Sequence, residues 1–326
     1  MMLIMLLAYS TGLMAQSYSG GSGTFVDPYQ IANKTDLKYL SENSDEWGKY
    51  FKQTLDITFQ ASDFEGGGDF YNSGAGFIPI GSSPQFTGSY NGDGKSISNL
   101  YISRTASDNI GLFGYANGAT IQGITLNNVD INGSGNVGAI AGYISSSSSV
   151  TSCSSSGTIT STGSYTGGLV GNCNTSTITL SNSSASVYGP EGVGGLVGLN
   201  ENGSVSESYA GGDVEGPYRV GAFVGYNRYA TVSNSYSLGD ITRSNGSTSV
   251  AMGGFCGINW SSTIEKCYSI GRVFYTGATD PTDKGFVGQI VDTQTYSNNY
   301  FDSQASNQST ATGATAKTTD EMKRRI

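Results

Sequence analysis

The sequence predicts an all-β chain wound as a parallel β-helix, a solenoid of about seven to eight coils with a small helix-containing cap at its N-terminal end. Three observations predict it. A Gly-x-apolar-apolar-Gly phrase returns at nearly constant spacing along most of the chain. Each copy holds short β-like stretches parted by Gly, Asn and Ser, with no apolar period of helical length. The composition, 48 Gly among 326 residues with 37% hydrophobic and 13% charged side chains, allows only a narrow and repetitive core.

Aligned on its closing glycine, the phrase falls at Gly114, Gly142, Gly171, Gly198, Gly225, Gly257 and Gly288, with successive spacings of 28, 29, 27, 27, 32 and 31. A second apolar marker follows at Ile121, Val150, Ile178, Val205, Val232, Ile264 and, more weakly, Tyr296. In the five middle copies a third stands at Ile159, Val187, Val214, Ile241 and Val273. A repeat of this length with three one-sided strands buries its apolar residues only by coiling and stacking on its neighbours, about 4.8 Å per rung. Propeller blades of about 40 to 45 residues and helical repeats do not fit. The paired glycines are expected where a side chain would collide with the next coil, and Leu196 and Phe223 are expected in the lumen on neighbouring rungs.

In chain order, residues 1–15 form an apolar run ending in the small residue Ala15, the pattern of a secretory leader. Residues 16–85 read as an N-terminal cap and lead-in. They hold the one clear helix signal, with Asn33 or Thr35 as N-cap and Leu37 and Leu40 on one face. Residues 86–302 carry the repeats. The segments 242–252 and 275–284 absorb the longer spacings and are expected to protrude as loops. Residues 303–326 are polar and are expected to be loose.

The phrases GGLVG, GAFVG and GGFCG, each followed by a stretch such as VSESYAGGDV, VSNSYSLGDI or IEKCYSIGRV, resemble the GLUG-motif repeat of bacterial surface and adhesin-like proteins. The same repeat is also found beside the catalytic part of some IgA-specific metallopeptidases. The segments around FIPIGSSPQFTGSYNGDGKSISNLYI and NNYFDSQAS resemble the flanks of such arrays. The resemblance implies an exported or surface-exposed bacterial β-helix, and it brings no catalytic residues with it.

The residue types narrow the chemistry. The chain has no histidine, so a metallopeptidase HExxH helix, histidine zinc sites and Ser-His or Cys-His nucleophile pairs are excluded within it. A net charge of −9 argues against nucleic acid and anionic membranes as partners. After leader cleavage no segment is apolar enough to span a bilayer, and no metal or cofactor is expected. Gly133 to Gly138 spell GxGxxG, but without a following helix pattern they read as a turn. Cys153, Cys173, Cys256 and Cys267 form no CxxC pair and read as small buried thiols.

Two constellations remain. Asp213, Asp240 and Arg272 occupy one repeat position on successive coils, following Thr158 and Ser186. Two carboxylates near 5 Å apart could serve a retaining glycosidase, although Asp beside a turn glycine equally accepts backbone hydrogen bonds. Arg272 is the expected charge partner of Asp240. The second is a stripe, Tyr209, Tyr236, Tyr268 and Tyr300, at a position preceded by small residues, Cys153, Ser208, Ser235 and Cys267 in their coils. Strand alternation turns these tyrosines outward, where flat ring faces would suit sugar C–H surfaces. The expectation is therefore a non-catalytic, adhesin-like rod binding an extracellular glycan or a host or surface protein. The alternatives are a polysaccharide-degrading enzyme using the aspartates, or a spacer without a ligand.

Overall fold

A coil forms because the same residue types recur at the same positions, so each backbone segment finds its counterpart one repeat away. In the computed structural model, which describes residues 18–244 and 246–323, the coil beginning at Glu191 runs through Glu191–Gly194, Val197–Glu201, Ser204–Ser206, Tyr209–Ala210 and Val214–Gly216. All five strands pair in parallel with their equivalents in the next coil, with Val193 opposite Val220, Val197 opposite Val224, Val205 opposite Val232, Tyr209 opposite Tyr236 and Val214 opposite Ile241. The rungs build stacks of five, seven, ten and fifteen strands.

Each middle coil thus has five strands, where the sequence markers suggest three. Two of the five are too short for periodicity to separate, because tight corners cut them. One corner is the Gly194-Gly195 pair, where a Cβ on Gly194 would lie 2.0 Å from the Val197 carbonyl oxygen and one on Gly195 2.1 Å from the Ala222 oxygen of the next rung. Another is a left-handed residue ahead of the tyrosine strand, at Leu180, Glu207, Asn234, Lys266 and Asn298, with φ of 52°, 51°, 48°, 53° and 54°.

The lumen follows the register. Leu196 and Phe223 are fully buried on adjacent rungs, as expected, and the rings of Phe223, Phe255 and Phe286 stack at 4.7 and 4.8 Å. The second and third markers line the other inner faces. A buried amide ladder runs beside them, with Asn200 Nδ2 donating to Asn227 Oδ1 at 2.9 Å, Asn227 Nδ2 to Asn259 Oδ1 at 2.8 Å, and Asn259 Nδ2 to the Tyr296 hydroxyl at 3.0 Å. Each amide donates to the next rung, which lets Asn227 and Asn259 persist at zero exposure, while the Asn200 Oδ1 at the start of the ladder has no partner among the described residues.

At the N-terminal end, helix α1 (Lys34–Glu42) is capped by Asn33, whose side chain accepts the Asp36 N–H, and it delivers Leu37 and Leu40 to the core. The strands on either side, Tyr29–Ile31 and Tyr50–Gln53, already belong to the ten-stranded stack. The leader expected over residues 1–15 lies outside the described residues.

The C-terminal segment corrects the expectation of a loose tail. Thr315–Lys317 pairs with Tyr300–Asp302 as a further rung, Ser306 and Gln308 are buried, and a short helix, α2 (Thr319–Lys323), follows. Polar composition misleads here because Asp302 satisfies the turn: its carboxylate accepts the Gln304 and Ala305 N–H groups, each at 2.9 Å. Of the two insertions, the exposed parts are residues 246–250 and 276–283. Arg243 anchors the first, donating to the Ser249 carbonyl at 3.1 Å while lying 3.5 Å over the Tyr275 ring.

Candidate functional site

The outer face of the fifteen-stranded stack carries every candidate read from the sequence. Tyr209, Tyr236, Tyr268 and Tyr300 lie in register and half-buried, while Ser208, Ser235, Cys267 and Asn299 before them face the lumen. The ring centroids of Tyr209 and Tyr236 are 5.0 Å apart with planes 4° from parallel, and those of Tyr236 and Tyr268 are 4.9 Å apart at 3°. The structure corrects the expected mode of contact. The rings lie face to face along the rod, so the faces of Tyr236 are covered by its neighbours and are closed to the contact the sequence suggests. Partial burial, followed by the neighbouring tyrosine, raises the pKa of Tyr236 and Tyr268 above the ordinary tyrosine value, which keeps these hydroxyls protonated donors at neutral pH.

The aspartates form a ladder of their own. Asp213 Oδ1 accepts the Asp240 main-chain N–H at 3.0 Å, and Asp240 Oδ1 accepts the Arg272 N–H at 2.7 Å. The contact between Asp240 and Arg272 is therefore through the backbone amide, where the sequence suggests a charge pair. A parallel rung leaves an outward N–H facing the preceding coil, and a carboxylate one rung back is placed to receive it. The same device repeats inside, where the Ser181, Ser208 and Ser235 hydroxyls each accept the N–H of the preceding rung.

The four cysteines are unbonded and buried. Burial pushes the thiols of Cys153, Cys173 and Cys267 up to about 12, so they stay protonated and poorly nucleophilic at neutral pH. Gly133 ends one strand and Val137–Gly138 forms the next, so the GxGxxG is a turn.

Two outer features escape sequence reasoning. Arg219, just ahead of the five-stranded stack's Val220–Gly221, pairs with Glu191 of that stack at 3.0 Å and lies 4.6 Å over Tyr226 of the seven-stranded stack, while within the seven-stranded stack Arg228 pairs with Glu201 at 3.1 Å and lies 4.7 Å over Trp260. Glu201, Arg228 and Trp260 share one repeat position, but residue type there changes from coil to coil, so no recurring residue announces them. The second feature is a cleft of 590 Å³ near the N-terminal end, between the 59–74 loop and the outward residues Asn99, Tyr101, Asn128 and Asp130. The available signal is its long loop, since the step from Phe51 to its partner Tyr90 is longer than any later one.

This geometry defines a class: a parallel β-solenoid, two of whose repeats match a known motif. The GLUG motif itself is matched at residues 189–215 and 216–242. Over 172 residues, 51% of this chain, the sequence is 35% identical to Halomucin of Haloquadratum walsbyi (strain DSM 16790 / HBSQ001), and the aligned stretch is 2% of that relative's length. Among solved structures, a candidate immunoglobulin A1 protease from Bacteroides ovatus superposes with a TM-score of 0.67, covering 94% of this chain and 88% of that one at 20% identity. At that identity the likeness is one of fold.

Proposed function

We propose that this chain is a non-catalytic, exported or surface-displayed rod that binds an extracellular glycan or protein through the repetitive outer face of its largest sheet stack. The observation that carries the reading is the aspartate ladder, because an oxygen of each of Asp213 and Asp240 is already engaged by the main-chain N–H of the next rung. Their register has a structural cause that needs no reaction. GLUG repeats, the Halomucin relative and the leader-like residues 1–15 support an exported or surface setting. Among the described residues no helix is long and apolar enough to cross a membrane.

A rod with a net charge of −9 favours neutral or weakly basic partners. Shallow contacts repeated about every 4.8 Å favour weak, multivalent attachment, with tyrosine hydroxyls and neighbouring Ser and Asn groups as donors and acceptors. The test compares the parent with Tyr236→Ser/Tyr268→Ser for retention on immobilised extracellular glycans and matrix proteins. Reduced retention by a variant with native circular dichroism is expected. Unchanged retention would remove the stripe from the binding surface.

A further inference from the structure

The cleft near the N-terminal end differs in kind from the rest of the outer face. Its wall is an aromatic loop fixed from several sides. Phe59, Phe70 and Phe77 are buried, with ring centroids of Phe59 and Phe70 4.9 Å apart, and Phe64 packs edge-on against Tyr101 at 5.5 Å. Lys34 holds the loop from helix α1 through Asp63, with Nζ 2.7 Å from each carboxylate oxygen. Asp63 also accepts the Gln60 N–H at 2.7 Å. Gly76 permits the close approach to Tyr101, since a Cβ there would lie 2.3 Å from the Tyr101 carbonyl oxygen.

The floor comes from two neighbouring rungs. Asn99 and Asn128 sit at left-handed corners with φ of 59° and 52°, and Asn128 Nδ2 donates to Asn99 Oδ1 at 2.8 Å. Tyr101 and Asp130 are register partners on the adjoining strands. Asp130 lines the cleft, and its Oδ1 accepts the Asn132 amide at 2.9 Å, which orients the carboxylate. Half-buried aromatic surface therefore faces a row of amides and a carboxylate, spaced by the rung repeat and held before any ligand arrives.

We propose that this cleft is a binding site for a neutral saccharide, one or two sugar rings of an extracellular glycan. The inference rests on the glycan side of the proposed function and gives it a defined site. Unlike the stacked stripe, Phe64 and Tyr101 meet edge-on, so ring surface remains for the apolar face of a sugar. Amides and carboxylates supply the donors and acceptors that hydroxyls need. Lining carboxylates from Glu65 and Asp130, with no Lys or Arg among the described lining residues, disfavour uronic acids and sulfated sugars.

The experiment is calorimetric titration of the full chain with cellotetraose, mannotetraose and tetra-N-acetylchitotetraose, alongside tetragalacturonate and choline chloride. The variants are Asp130→Ala, Glu65→Ala, Tyr101→Ala and the remote Tyr236→Ser/Tyr268→Ser, with thermal melting as the check on folding. Glu65 is exposed on the loop, so its variant keeps the test open where Tyr101→Ala fails to fold. One-site binding of a neutral tetrasaccharide is expected, weakened roughly tenfold or more by Asp130→Ala and unaffected by the stripe variant. Saccharide binding that ignores every cleft variant would overturn the cleft while leaving the glycan reading standing. Failure of the parent to bind any neutral tetrasaccharide would overturn both. Binding of choline or tetragalacturonate in their place would overturn the ligand class.

Discussion

Leu180 shows how a repeat constrains single residues. It occupies the left-handed corner that its equivalents fill with Glu207, Asn234, Lys266 and Asn298, and it does so with φ of 52° and a side chain 55% exposed. Left-handed backbone costs a residue such as Leu roughly 1–2 kcal/mol, and Asn far less. Leu180→Asn should therefore stabilise the chain by about 1 kcal/mol and raise its melting temperature, and an unchanged or lower temperature would contradict the corner assignment. The buried Asn200, Asn227 and Asn259 teach the complementary lesson. In the sequence they read as loop residues, because Asn usually marks turns; only stacking in register turns three turn-like residues into a lumen ladder.

At the scale of the element, glycine pairs and large apolar residues do separate jobs that the sequence displays together. The first glycine of the phrase marks close backbone approach at the corner, and the large apolar residue two positions on fills the lumen. Gly194→Ala should prevent native folding, since the position is glycine in five successive coils, at Gly138, Gly167, Gly194, Gly221 and Gly253, and the added Cβ would lie 2.0 Å from the Val197 carbonyl oxygen, backbone that cannot yield as a side chain does. Soluble, native-melting Gly194→Ala would show that this corner is looser. The aromatic stack of Phe223, Phe255 and Phe286 was legible as lumen because its period is that of the phrase itself. Two strands of each coil were not, since two-residue strands such as Tyr209–Ala210 and Val220–Gly221 are too short to show an alternation of their own.

Over the whole molecule, legibility follows repetition. Fold, register, lumen and the outward tyrosines recur in coil after coil and could be read from spacing alone. The mode of tyrosine contact could not, because ring orientation depends on how successive side chains tilt on the stacked rungs. The cleft could not either: its wall comes from an insertion that occurs once, and Tyr101 and Asp130 acquire meaning only when that loop folds back over them. The folded residues 303–323 likewise depend on single contacts around Asp302.

The central claim is that this solenoid binds without turning its ligand over, and Asp213→Asn/Asp240→Asn tests it most directly. The amide oxygen of Asn can still accept the next rung's N–H, so the ladder survives while any acid, base or nucleophile at these positions is lost. Parent and double variant should be incubated with neutral and acidic polysaccharides, with retained protein and released reducing ends measured together. Retention without release, equal in both proteins, is the predicted result; release of reducing ends by the parent that disappears in the double variant would contradict the account.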